Sequence, residues 1–427
     1  MAAPKRYAWY VLAVMTAIAF LNYLDRYILP AAAPLIQKEF TLSDAELGGL
    51  ASAFLLFYAV CALPFGFWAD RGTRKNVIAT GVAIWSLATL FTGAARSFAQ
   101  LLAARALLGV GEAGYFPAGT SLLADYFPKH VRSRASAIWN AGNVFGIATG
   151  FIGGGIVAQA FGWRWAFYGT AIPGILCAVL AATMKEPNRG AAEPEGPAAR
   201  TAKDADLSTF LGLLRIPSYR AVVLSQVILF AVLAALATWL PTYIHRRFGL
   251  GVAASASFGG GLLIGGGLIG TLIGGWLGDW RAKRDPRAYL QLPTVSFAIG
   301  AVLLFAAFAT GSLTLFIPLA LLTAAALYIY NGPYTALQQN VAIPTLRASA
   351  VTLGLFAAHL LGDSWSSYAA GVLSDQLHDL RLALMFSTPP LLLIAAAVAA
   401  TGIRHVPADI ANMERAWAQR AQSGAAA

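Results

Sequence analysis

Two carboxylates and two arginines stand inside apolar segments, where ordinary surface charges do not belong. Asp25 and Arg26 are adjacent near the middle of a run from about Tyr7 to Ala33, and Arg105 and Glu112 lie seven residues apart in another run. A charge at bilayer depth costs at least ~2.5–3.5 kcal/mol on insertion scales. Such side chains therefore face a protein interior or a watery cavity rather than lipid. A carboxylate in a dry place resists ionisation, so it holds a proton in one state and releases it when water enters. That is the physical requirement for coupling to a proton gradient, and Asp25 and Glu112 meet it. Arginine stays charged and offers a planar fork to carboxylate or phosphate, which makes Arg26 and Arg105 candidate grips for an anion. The competing reading is a set of permanent structural ion pairs.

Other polar groups follow helical spacing. Arg105, Leu108, Glu112 and Tyr115 fall at i, i+3, i+7 and i+10 on one helix face. His359 and Asp363, at i and i+4, form a second titratable pair or a plain helix–helix hydrogen bond. Tyr330, Tyr334 and Gln338 share a face, as do Trp239 and Tyr243, and both sets are expected to line a wall of the same cavity. No third metal ligand, nucleotide-binding loop or catalytic triad accompanies these residues. The expectation is no enzyme, no cofactor and no metal.

The elements that must position these groups are membrane helices. Of 427 residues, 58% are hydrophobic and 11% charged, against roughly 25% charged in a soluble domain. Twelve apolar spans are expected, near 8–33, 46–68, 76–95, 99–124, 134–160, 165–184, 220–244, 252–278, 289–311, 314–340, 349–373 and 382–403. The second opens on Ser43-Asp-Ala-Glu46, a capping-box pattern. Span five repeats glycine at Gly142, Gly146, Gly150 and Gly154, a stripe that lets helices approach closely. The net charge of +11 reads as topology rather than nucleic-acid binding. With the N-terminus inside, 22 Lys/Arg fall in cytoplasmic segments and 6 on the other side, which sets both termini in the cytoplasm. Cys61 and Cys177, both in spans, offer no disulfide framework. The first run is too long and too charged for a cleaved signal, and reads as an uncleaved helix.

A stretch rich in Ala, Glu, Pro and Gly divides the chain. The expected organisation is a six-helix bundle over 1–184, a cytoplasmic linker over 185–219, a second six-helix bundle over 220–403 and a cytoplasmic tail over 404–427. The halves share a signal. Gly66 to Lys75 reads GFWADRGTRK and Gly275 to Arg284 reads GWLGDWRAKR, with Asp70 and Asp279 209 residues apart. An internal repeat at half the chain length marks a transporter built from two bundles around a central site. Asp70, Arg74 and Asp279 sit at helix ends, with Asp125 and Arg134 as partners, and are expected to gate the bundles.

These two loops resemble the loop-2/3 signature of the major facilitator superfamily, with Thr73 in place of the usual second glycine. RALLGVGEA, Arg105 to Ala113, resembles that superfamily's fourth-helix pattern. A narrower resemblance is to its Spinster-like branch. It rests on NYLDR at Asn22–Arg26, GEAGYFPAGTSLLADYFP at Gly111–Pro128, FGWRWAF at Phe161–Phe167, HLLGD at His359–Asp363 and GVLSD at Gly371–Asp375. Gly114-Tyr115-Phe116-Pro117 departs from it and looks more like the anion–cation symporter branch. The resemblance implies an all-α membrane fold working by alternating access, with Asn22 joining Arg26 at the substrate.

The reading is a monomeric, proton-coupled secondary transporter of an amphipathic lipid or lysolipid-type anion, in a bacterial inner membrane or its equivalent. Its partners are substrate, protons and membrane lipid, and nucleic acid is not among them. The alternative is a proton-coupled symporter of small organic anions such as sugar acids and carboxylates. A third reading, a non-transporting receptor or scaffold, predicts no flux and no effect of neutralising Asp25 or Glu112.

Overall fold

The computed structural model describes residues 6–188, 192 and 212–425. Most of the linker expected over 185–219 lies outside the described residues. In the first half the helices are α1 Arg6–Phe40, α2 Asp44–Arg71, α3 Arg74–Ala94, α4 Phe98–Glu112, α5 Tyr115–Tyr126, α6 Lys129–Phe161 and α7 Trp163–Thr183. In the second they are α8 Pro217–Phe248, α9 Val252–Ala282, α10 Ala288–Ala309, α11 Leu313–Tyr328, α12 Asn331–Asn340, α13 Arg347–Ala358, α14 Ser364–Leu377 and α15 Leu380–Gly402, followed by α16 Val406–Ala425. The described residues contain no strand.

Three spans read as continuous in the sequence each lose regular α-helical hydrogen bonding for a turn, with the flanking backbone still right-handed helical. α4 gives way to α5 at Ala113–Gly114, directly after Glu112. α11 gives way to α12 at Ile329–Tyr330. There Pro333 has no N–H to return to the carbonyl four residues back, and its ring crowds that turn. α13 meets α14 through a π-helical turn, His359–Asp363. Counted with their continuations, the helices make the twelve expected crossings, and α16 is an addition beyond them.

The described chain forms two compact units. Unit 1 holds α1–α7 together with residues 236–264 and 364–380, and unit 2 holds most of the remainder. In unit 1 the glycine stripe of α6 lies against α1. A Cβ on Gly142, Gly146 or Gly150 would come within 2.6, 2.3 and 2.8 Å of the carbonyl oxygens of Thr16, Phe20 and Leu24. Both helices advance by four residues per contact, so small residues at that spacing bring the backbones together along several turns. This contact fixes the face of α1 that carries Asn22 and Asp25. α4 is seated in the same way: a Cβ on Gly109 would be 2.3 Å from Phe54 O, and one on Gly111 would be 2.6 Å from Trp85 N. The capping box of α2 is present, with Ser43 and Glu46 satisfying each other's backbone N–H.

In unit 2 the interruption of α11 serves packing. The carbonyl of Ile329 lies where a Cβ on Gly274 would be, at 2.1 Å, so glycine lets α9 press against the break. Large apolar side chains on α9 and α10 point outward, Leu272 at 73% and Val302 at 67% exposure. Lipid is the solvent that accepts such faces.

Candidate functional site

α1 and α4 bring the sequence-predicted charges of unit 1 together. Arg26 Nε donates to Glu112 Oε2 at 2.6 Å. Glu112 is the last residue of α4, where the helix stops before Gly114. Its side chain is fully buried while Arg26 keeps 17% exposure. Three aromatic rings surround the Arg26 guanidinium: Tyr23, Phe54 and Tyr58, with centroids at 5.1, 5.0 and 4.8 Å. Ring quadrupoles stabilise a cation there and restrict where its fork points.

Asp25 and Arg105 lie beside this pair, each almost wholly buried. Asp25 accepts a hydrogen bond from Thr89 Oγ1 at 3.1 Å. Arg105 lies over the other cation's ring, 5.1 Å from the Phe54 centroid. Polar capacity is left over: Arg105 Nε and Nη1, Asp25 Oδ1 and Glu112 Oε1 are buried and have no hydrogen-bond partner within 3.5 Å among the described residues. Buried polar groups in folded proteins are nearly always satisfied, so such a concentration at one place marks where a ligand, water or proton belongs. Asn22 is buried one turn before Arg26.

The other predicted residues fall into distinct settings. Tyr115 is committed to packing: its hydroxyl donates to Met15 O at 2.9 Å and accepts from Trp139 Nε1. It holds the start of α5 against α1 and α6. Trp239 is fully buried, with its indole N–H on Ser367 O at 3.0 Å. Tyr243 is buried on the same helix. In unit 2, Tyr334 bonds Ser225 Oγ at 2.7 Å and Gln338 donates to Gln226 Oε1 at 3.1 Å. Tyr330 stacks edge-on against Tyr334 at 5.5 Å. His359 Nδ1 and Asp363 Oδ2 meet at 2.7 Å within the π-helical turn, and the Phe230 ring stands against His359 at 5.3 Å.

Of the predicted gating residues, Arg74 is fully buried and holds Asp125, Ser121 and Glu186 Oε1, the last at 2.7 Å. Arg74 and Asp125 therefore join within one unit. Arg134 and Asp279 are exposed and form no ion pair among the described residues. The side chain of Asp70 lies outside the described residues.

Unit 1 contains a second polar hub that sequence reasoning missed, at the end where α1 turns into α2. Asp44 accepts from Gln37 Nε2 at 2.7 Å, from Arg246 Nη2 at 2.6 Å and from Ser374 Oγ. Asp375 in turn accepts the backbone N–H groups of Asp44 and Ala45 at 2.9 and 2.8 Å, capping α2 from another helix. The hub ties the first-half helices α1 and α2 to segments of α8 and α14. Its partners on α8 and α14 lie 202 to 331 residues away, so no local spacing joins them to Asp44.

Comparison with known proteins agrees with this architecture. The model of the Major Facilitator Superfamily matches residues 15–362, and the chain belongs to that family. Protein spinster homolog 1 of Xenopus laevis is 31% identical over 394 residues, covering 86% of this chain and 73% of the relative. The sphingosine-1-phosphate transporter SPNS2 of Mus musculus is 30% identical over 383 residues, covering 85% and 69%. A crystal structure of a bacterial homolog of the human lysosomal transporter Spinster, inward-facing and unoccupied, superposes with a TM-score of 0.82. It is 26% identical, with 97% of this chain and 99% of that chain covered. The chain is a Spinster-type transporter of the superfamily.

Proposed function

We propose that this member of the Major Facilitator Superfamily moves an amphipathic, lysolipid-type anion by alternating access and couples that movement to protons. The observation that carries the reading is the Arg26–Glu112 pair, set among Asp25 and Arg105 groups with unused hydrogen-bonding capacity. Arg26 is the most exposed member of this group, at 17% of its side chain, so an anionic headgroup meets it first. Its bond to Glu112 runs through Nε, and an anion that takes that edge of the fork in bidentate fashion displaces the carboxylate. A headgroup that takes Arg26 strips Glu112 of its counter-charge. A buried carboxylate without a counter-charge is neutralised by a proton rather than left ionised. Substrate binding and proton uptake are thereby linked at one atom pair, and Asp25, held by Thr89, is the neighbouring acceptor that relays the proton.

Arg105 completes the grip, since its free N–H groups supply the second half of a phosphate's or carboxylate's hydrogen-bond demand. A relative whose name describes a sphingosine-1-phosphate transporter, a lipid phosphate, supports the lipid class. The excess of Lys and Arg in alternate loops supports both termini in the cytoplasm of an energised membrane. In that orientation the Asp44 hub lies on the outer face, and its release is part of opening outward. The protein acts as a single chain.

The test is flux into liposomes containing the purified protein, with a lysophospholipid panel and a sugar-acid and carboxylate panel added separately. Uptake of lysophospholipids alone, lost in Arg26→Gln, is the expected result. Uptake of the small anions alone would replace the lipid class with the organic-anion class.

A further inference from the structure

A basic cluster in unit 2 stands apart from the groups assigned to transport. Arg220 on α8 and Arg404, just past α15, line a crevice of about 160 Å³ whose walls include Leu224 and Val398. A second crevice of about 680 Å³ lies across α15, between Arg287 and the same Arg404, beside Ile403. None of these three arginines pairs with a carboxylate among the described residues. The only side-chain bond of Arg404 among them is from Nε to His405 Nε2, at 3.1 Å.

The backbone builds this arrangement. A Cβ on Gly402 would stand 2.6 Å from Ala221 Cβ and 2.7 Å from Leu290 Cδ1, so the last turn of α15 seats directly on α8 and α10. Arg404 therefore emerges between the two crevices. α16 is then pinned in place: Val406 is fully buried, and Asp409 Oδ2 accepts the backbone N–H of Ser218 at 2.9 Å. Beyond that anchor, Ile410, Met413 and Trp417 continue one apolar stripe at helical spacing, with Trp417 42% exposed.

Crevices part-walled by Leu224, Val398, Ala397 and Ile403 and capped by arginines that pair with no carboxylate among the described residues, next to a helix with an apolar stripe, match the chemistry of a phospholipid at the bilayer surface. We infer that Arg220, Arg287 and Arg404 hold the phosphate headgroup of an anionic phospholipid, its acyl chains in the crevices beside α15 and α16 resting on the same leaflet. The net negative charge of the headgroup is what three cations without acidic partners among the described residues select. A free phosphate has nothing to place in the crevices, so the lipid is the ligand the walls require.

Native mass spectrometry of the full chain in detergent, titrated with phosphatidylglycerol or phosphatidylcholine, tests this. Each basic group near an anionic surface strengthens binding by about fivefold. The expectation is a first bound phosphatidylglycerol held at least tenfold more tightly than phosphatidylcholine. Arg220→Gln with Arg404→Gln erases that preference, while Arg96→Gln, on the α3–α4 connection, retains it. Equal affinity for the two lipids in the wild type would overturn the assignment without recourse to any variant. Retention of the preference in the double variant would overturn it too, as would competition by millimolar inorganic phosphate as strong as that by phosphatidylglycerol.

Discussion

Arg26 and Arg105 share one aromatic ring. Their guanidinium carbons lie 5.0 and 5.1 Å from the Phe54 centroid, although they come from different helices, α1 and α4. Two like charges thus face one neutral ring, with the buried Glu112 carboxylate bonded to Arg26 beside them. An anion bound here meets both.

Phe54→Leu keeps the site apolar and removes both ring contacts. At ~0.5–1 kcal/mol for each of the two cation–π contacts, substrate binding weakens by about five- to thirtyfold. Equilibrium binding of a labelled substrate measures this. The fold stays intact, so melting temperature changes far less than affinity.

Arg26→Lys separates charge from shape. Lysine keeps the positive charge but loses the fork and the stacking on Tyr23 and Tyr58. The expected result is a half-saturation concentration raised about tenfold with protons still moving, because a charge-assisted bond at ~1.5–3 kcal/mol is weakened rather than abolished. Arg26→Gln loses both uptake and proton movement.

The Asp44 hub is expected to behave as one coupled unit. Arg246 is 37% exposed, so solvent screens its pair with Asp44. A double-mutant cycle of Asp44→Asn and Arg246→Gln, read by thermal unfolding, is predicted to give a coupling of ~1 kcal/mol. Additive losses would mean that the other partners of Asp44 hold the hub.

Glycine contacts make a sharper stability prediction. A Cβ on Gly371 would lie 2.2 Å from Asp44 O, and one on Gly48 2.2 Å from Ser367 O, both against backbone. Gly48→Ala or Gly371→Ala is expected to cost about 2–3 kcal/mol by overpacking. Gly66→Ala, with nothing within 4 Å, is expected to be neutral or mildly stabilising. Melting of the three variants in one detergent checks the contrast.

Much of this was legible before the structure. The spans, the capping box at Ser43–Glu46 and the close-packing glycine stripe follow from local rules of length, caps and spacing, though the stripe's partner α1 does not. The convergence of Asp25, Arg26, Arg105 and Glu112 was also foreseeable, since membrane charges must seek a shared interior. The interruptions at Ala113–Gly114 and His359–Asp363 were not, because a hydropathy run does not register a lost turn. The Asp44 hub escaped for a different reason. Arg246 reads only as a loop charge, Ser374 and Asp375 only as part of the GVLSD resemblance, and only tertiary packing brings them to Asp44. Tyr115 shows the converse. It shares a helical face with Glu112 by spacing, yet its hydroxyl is taken up by Met15 and Trp139.

The most direct test of proton coupling through the Arg26–Glu112 pair is internal pH in liposomes containing wild type or Glu112→Gln, recorded as lysophospholipid is added. The account predicts substrate-dependent proton movement in the wild type and none in Glu112→Gln, with the variant still binding substrate through Arg26 and Arg105. Proton movement that persists in Glu112→Gln would contradict it.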